Sequence, residues 1–142
     1  MGLQSAFLRV HQGLYERSGG LIGHRLIGVP SLLLRSVGRK TGAPRTSALV
    51  YAKDDDSYIV VASNGGDDRP PGWLHNVTSR SDVQIQVARR ASSATAEVLG
   101  PEHADYDRLW KLVNAKNHRR YDGYQAKTAR PIALVRLTPT TL

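Results

Sequence analysis

The tightest constraint on the fold is how little chain separates the apolar runs in the first half of the sequence. Val29 to Leu34, Ala48 to Ala52 and Tyr58 to Ala62 follow one another with only turns between them. Strands are predicted at roughly 30–37, 46–53 and 57–63, the last two joined by the acidic turn Asp54-Asp55-Asp56. The unbroken apolar character of Tyr58 to Ala62 suits a strand buried on both faces. Further on, Val83, Ile85 and Val87 alternate with Gln84, Gln86 and Ala88, the pattern of a half-buried strand. Two more strands are expected over Ser93–Leu99 and Ile132–Leu137, with Pro139 ending regular structure. Sequential strands joined by short turns favour an antiparallel barrel over alternating βαβ units.

Helices flank this strand-rich middle. Ala6, Phe7, Val10 and Leu14 recur at helical spacing opposite Arg9, Gln12 and Glu16, and Ser18-Gly19-Gly20 stops the run, so a helix is expected over roughly 4–17. Its apolar face has two outlets, the core or a membrane surface helped by Arg9, Arg17 and Arg25. A second helix opens at Pro101-Glu102 and carries Tyr106, Leu109, Trp110 and Val113 on one stripe. A short helix holding Trp73 and Asn76 follows Pro70-Pro71-Gly72. The tally is about six antiparallel strands in a mainly β (α+β) chain. Its 142 residues form a single domain over 1–142, with a helix and connector over 1–28 and the barrel over 29–139.

Composition narrows the chemistry. Hydrophobic residues make up 40% of the chain, ordinary for a globular protein, and no apolar run reaches the roughly 18 residues that span a bilayer. Arg9 and His11 interrupt the early apolar segment, so no signal-peptide pattern is present. The chain has no cysteine, which excludes disulfides, thiolate metal sites and a cysteine nucleophile and makes a cytoplasmic protein the simplest expectation. A net charge of +8 implies a polyanionic partner: nucleic acid, an anionic membrane surface or a phosphorylated cofactor.

The charge concentrates in Gly38-Arg39-Lys40-Thr41-Gly42-Ala43-Pro44-Arg45. Two glycines and a proline make this a turn between strands, and Arg35, Arg39, Lys40 and Arg45 crowd it with no acid among them. An anion would relieve that repulsion, arginine supplying planar forks and lysine a mobile point charge; a solvated hairpin tip is the plainer reading. A second informative stretch, Ser63-Asn64-Gly65-Gly66, ends the third strand, where backbone N–H groups lack ladder partners and can approach a ligand closely. On the short helix Trp73 and Asn76 are three residues apart and share a face. That arrangement suits a planar heterocycle beside a bifunctional amide, or equally a core tryptophan.

The familiar catalytic sets are missing. Neither G-x-S-x-G nor H-E-x-x-H occurs, nor a P-loop or a Rossmann glycine motif. The histidines at 11, 24, 75, 103 and 118 never fall at a metal-ligand spacing, so no metal site is expected. An enzyme of this composition borrows its reactive group from an organic cofactor.

Gly38-Arg39-Lys40-Thr41-Gly42, Arg45, Ala62 to Gly66, Pro71-Gly72-Trp73 with Asn76, and Tyr124-Gln125-Ala126-Lys127-Thr128-Ala129-Arg130-Pro131-Ile132 occur in this order. The set resembles the actinobacterial deazaflavin (coenzyme F420)-dependent nitroreductases, in the quinone-reductase branch of the flavin/deazaflavin oxidoreductases, over roughly residues 30–139. The resemblance implies a split β-barrel like that of FMN-binding proteins, and reduced F420 as hydride donor. It also implies a small electron-poor acceptor: a quinone, an enone, an unsaturated lactone such as a coumarin or aflatoxin, or a nitro compound. By that resemblance Arg39, Lys40 and Arg45 bind the cofactor's phosphate and polyglutamyl tail, and Ser63, Asn64, Gly65, Trp73 and Asn76 line its ring pocket. Tyr121, Tyr124 and Ser63 orient the acceptor or donate a proton. Two positions depart from nitroimidazole-activating relatives: His118 stands where they carry a tyrosine, as does Val50 unless the register slips to Tyr51. FMN in place of F420, or a basic nucleic-acid-binding module, are the competing readings. A monomer or homodimer, with peripheral membrane contact through the first helix, completes the expectation.

Overall fold

The computed structural model describes residues 30–140. The helix expected over 4–17 and the connector that follows it lie outside the described residues. The strands are β1 (Ser31–Val37), β2 (Pro44–Val50), β3 (Ala52–Asp54), β4 (Ser57–Val61), β5 (Asp82–Val87), β6 (Arg90–Leu99) and β7 (Leu134–Pro139). The helices are α1 (Gly72–Ser79), α2 (Tyr106–Lys116) and α3 (Arg120–Gln125), and a single 3₁₀ turn spans Asn64–Gly66.

All strands join one antiparallel sheet in the order β2-β1-β5-β6-β7-β4-β3. The two outermost strands are consecutive in sequence. β2 runs along β1 (Ser31 opposite Val50), and β3 runs along β4 (Ala52 opposite Ile59). Tyr51 lies between them, its N–H donated to Pro30 O at 3.1 Å. One bent segment thus borders both ends of the sheet and rolls it into a split β-barrel. The expected strand over 46–53 is two strands, which raises the count from about six to seven among the described residues. The break is physical: the segment changes partner strand at Tyr51, and one straight ladder cannot serve both neighbours.

β4 separates two cores, as its unbroken apolar run requires. Val60 and Ala62 enter a barrel interior with Leu32, Leu34, Trp73, Val77, Val83, Ile85 and Leu137. Ile59 and Val61 face an outer core with Leu99, Tyr106, Leu109, Val113, Tyr121 and Leu134. Each fully buried Leu or Ile contributes about 1.5–3 kcal/mol, so both faces bind the sheet to its coverings.

Helix α2 starts later than expected, at Tyr106 rather than Pro101. Local turn bonds occupy the intervening chain: His103 N–H to Gly100 O, Asp105 N–H to His103 Nδ1 and Tyr106 N–H to His103 O. α3 appears where the sequence suggested only a pair of spaced phenols, since Gly123 obscured the helical signal. Pro139 is the last residue of β7, opposite Ala94, so regular structure ends there as expected, although the strand runs two residues beyond Leu137. At the strand's last residue the missing N–H costs no interior ladder bond. Asp54 is more than a solvated turn residue, since Arg108 of α2 donates to both its oxygens at 2.9 and 3.2 Å.

Candidate active site

The basic turn is a closed loop between β1 and β2. Gly38 N–H bonds Ala43 O and Gly42 N–H bonds Gly38 O, both at 2.8 Å, while Thr41 Oγ1 accepts from Ala43 N–H. Gly42 has φ +73, a conformation that favours glycine. A side chain at Gly38 would be tight, since a Cβ there would lie 3.1 Å from Thr41 Oγ1 and 3.3 Å from Ala43 O. The loop holds Arg39 and Lys40 exposed, and Arg45 is exposed just inside β2. No ion pair among the described residues engages any of these three. Three exposed cations close together at the β1–β2 junction, with no counter-charge among them, give this end of the sheet a positive charge to which an anion would be drawn.

Helix α1 supports this loop from beneath. The buried Asn76 accepts the Arg39 N–H on Oδ1 at 3.1 Å. Trp73, one turn earlier, is 8% exposed and packs into the barrel interior. The face shared by Trp73 and Asn76 therefore points inward, toward the core and the underside of the basic turn.

The Ser63–Gly66 turn leaves the end of β4. Its N–H groups at Gly66 and Asp67 bond back to Ser63 O and Asn64 O, while those of Asn64 and Gly65, at its start, take no part in these bonds. Asn64, Gly65 and Gly66 all have positive φ, at 45°, 66° and 86°. Arg130 imposes that path. Its guanidinium donates to Ala62 O at 3.3 Å, Ser63 O at 2.9 Å and Asp67 O at 2.9 Å, gathering the carbonyls of the loop on one side. Gln125 in turn fixes the segment carrying Arg130, accepting from Ile132 N–H at 2.9 Å and donating to Arg130 O at 2.8 Å. Thr128 adds a bond to Asp68 at 2.7 Å.

Helix α3 closes against this turn at Gly66. A Cβ there would stand 2.6 Å from Tyr124 O and 3.0 Å from Tyr124 Cα. Backbone meets backbone, so glycine is the residue that fits. The two phenols of α3 diverge in environment. Tyr121 is 6% exposed within the outer core. Burial pushes its phenol up to about 12, against a smaller opposing effect of its hydrogen bond with Asn117. Tyr124 is half-buried and meets Tyr121 edge-on, with ring centroids 6.2 Å apart. Of the two, Tyr124 faces outward.

The structure thus brings Ser63, Asn64 and Gly65 together with Tyr124, and ties Arg39 to Asn76. It sets Trp73 and Tyr121 in the cores behind them. His118 is exposed in the left-handed region (φ 55) at the α2–α3 link. Val50 ends β2, and Tyr51 lies edge-on to Tyr58 at 5.1 Å. Arg130 and Gln125, which organise the site, were given no role from sequence, and Gly66 was read only as part of the Ser63–Gly66 turn. The signal available for Arg130 was an arginine followed by proline with no acid close in sequence, a cation whose partners are carbonyls. One concavity lies away from these residues, beside Lys53 and Arg108, and another runs along the flank of the basic turn, lined by Arg35, Val37, Pro44 and Val83.

The family model for F420H2-dependent quinone reductases matches residues 7–139. An F420H2-dependent quinone reductase of Mycobacterium tuberculosis (strain ATCC 25618 / H37Rv) is 49% identical over 132 residues, 92% of this chain and 89% of the relative. The solved structure of an F420H2-dependent reductase aligns with TM-score 0.68 and 31% identity, covering 76% of this chain and 93% of that one. A second solved structure, described as a domain-swapped dimer, aligns with TM-score 0.71 and 27% identity over 94% of this chain and 98% of that one. This chain belongs to the F420H2-dependent quinone reductase family.

Proposed function

We propose that this chain reduces a quinone, or a related enone or unsaturated lactone, with reduced F420 as the hydride donor. The observation that carries the reading is the basic turn: three exposed cations without a counter-charge, seated by Asn76 on the helix that follows the Ser63–Gly66 turn. A ligand with a planar ring at one end and a phosphate with several carboxylates at the other fits that order. Arg39, Lys40 and Arg45 hold the phosphate and tail, and the N–H groups of Asn64 and Gly65 with the Ser63 hydroxyl meet the polar edge of the ring. Trp73 and Asn76 act from below, fixing the floor and the height of the basic turn. When bound, the cofactor supplies the hydride. The protein's share is proximity and oriented hydrogen bonds, with the outward phenol of Tyr124 on the acceptor side and Tyr121 steadying it by ring contact.

The domain-swapped relative supports a homodimer, which light scattering at micromolar concentration tests. No described helix is long and apolar enough to cross a membrane. Peripheral contact through residues 1–28 is our reading of their sequence, tested by flotation of the full chain with anionic vesicles.

The deciding experiment is a fluorescence titration with F420, with FMN in parallel, on the wild type and on Lys40→Ala/Arg45→Ala. Micromolar or tighter binding that weakens about tenfold in the double variant, roughly 1.4 kcal/mol, is expected. Preference for FMN, or no binding of F420, would overturn the reading.

A further inference from the structure

Along α3 and the turn that continues it, Tyr121, Tyr124 and Lys127 recur at a spacing of three. Lys127 N–H bonds Tyr124 O at 3.1 Å, and Ala126 is still helical, so the three side chains share one stripe. The stripe passes from buried at Tyr121 through half-buried at Tyr124 to exposed at Lys127. Lys127 Cβ lies 3.2 Å from the position a Cβ of Gly66 would take, and its Nζ is 5.8 Å from the Tyr124 ring centroid. The ammonium therefore stands where the Ser63–Gly66 turn meets the outward phenol.

Its charge meets the face of the Tyr124 ring but no carboxylate. No ion pair among the described residues uses Lys127. The acids of the adjoining loop have other partners: Asp67 accepts from Arg69 N–H at 2.8 Å, and Asp68 accepts from the Thr128 hydroxyl at 2.7 Å. Arg130, the neighbouring cation, is committed to loop carbonyls at 2.9, 3.3 and 2.9 Å. An ammonium with no carboxylate partner thus stands over the Tyr124 ring, beside the Ser63–Gly66 turn.

Resting on the function proposed above, we propose that Lys127 binds the acceptor oxygen that gains negative charge, working beside Tyr124. A quinone that accepts a hydride gains two electrons and one proton and becomes a hydroquinone anion with its charge on oxygen. One further proton, delivered to that oxygen, completes the hydroquinone. An ammonium at the oxygen stabilises the anion more than the neutral quinone, so it favours the charged transition state over bound substrate. Lysine suits the task because its charge sits on a flexible stem that follows acceptors of different size.

The test uses the full chain with Lys127→Ala and Lys127→Arg, F420 affinity read by fluorescence, and steady-state reduction of menadione. For Lys127→Ala the expected result is an F420 Kd within twofold of wild type and kcat/KM for menadione at least fivefold lower. Lys127→Arg returns kcat/KM to within twofold, which a merely structural side chain would not do. A smaller loss in Lys127→Ala overturns the inference. So does a loss of F420 affinity matching that of Lys40→Ala/Arg45→Ala, which would move Lys127 to the cofactor tail. A wild type that binds no F420 overturns the underlying function and this inference together, an outcome separate from the other two.

Discussion

At Gly66 two independent constraints coincide, and together they decide what one methyl group would do. The residue has φ +86, and an added Cβ would lie 2.6 Å from Tyr124 O. The obstacle is backbone, so relief requires moving α3 and not a side-chain tip. Gly66→Ala is expected to lose about 2–3 kcal/mol in urea denaturation, combining strain at positive φ with the clash. F420 affinity should fall with it, because the turn and the outward phenol separate. Gly72 is the internal control, being the first residue of α1 with nothing within 4 Å of an added Cβ. Gly72→Ala is expected to be neutral or to stabilise by a few tenths of a kcal/mol, since alanine favours helix. Equal losses in the two variants would show that the Gly66–Tyr124 approach carries no special constraint.

The element that does most to shape the site is the irregular segment between α3 and β7, tied down by Gln125, Thr128 and Arg130. Arg130 makes charge-assisted bonds to three carbonyls of the loop after β4, each worth more than a neutral bond. Arg130→Ala should therefore open residues 63–69 locally. Faster amide exchange there, with β1 and β5 unchanged, is the expected signature, and uniform exchange would contradict it. This segment also shows where sequence reading ends. The strands were legible because their period-2 and unbroken apolar patterns report burial directly, and β4 divides its residues between two cores as that pattern demanded. The bend at Tyr51 was not, because closing the barrel is a property of two distant partners, β1 and β4, and leaves no local mark. The cations of the basic turn were legible as charge without acid. Arg130 reads identically in composition, yet its partners are carbonyls more than sixty residues away in sequence, which no local pattern encodes. Trp73 and Asn76 were placed on one face correctly, but spacing does not say which way a face points.

Across the whole molecule, the outer core binds α2 and α3 to the barrel through two buried phenols, and these tie its stability to alkaline pH. Burial pushes Tyr106 and Tyr121 each up to about 12, and Tyr106 donates its hydroxyl to Ile132 O. In the unfolded chain both phenols ionise near 10. Between those values the unfolded state holds fewer protons than the folded one, so stability falls as pH rises. The contribution is fully present below pH 10 and is lost through pH 12, on the order of 2 kcal/mol for each phenol. Urea denaturation at pH 8 and pH 11.5 should therefore show a marked drop for the wild type. Tyr121→Phe gives up the bond to Asn117 and starts about 1 kcal/mol lower at pH 8. It also removes one titrating group, so its decline between the two pH values is shallower and the gap to wild type narrows. Parallel slopes for Tyr121→Phe and wild type would show that Tyr121 titrates as it does in water, and that the helices carrying the outward phenol and Lys127 rest on something other than a buried, protonated Tyr121.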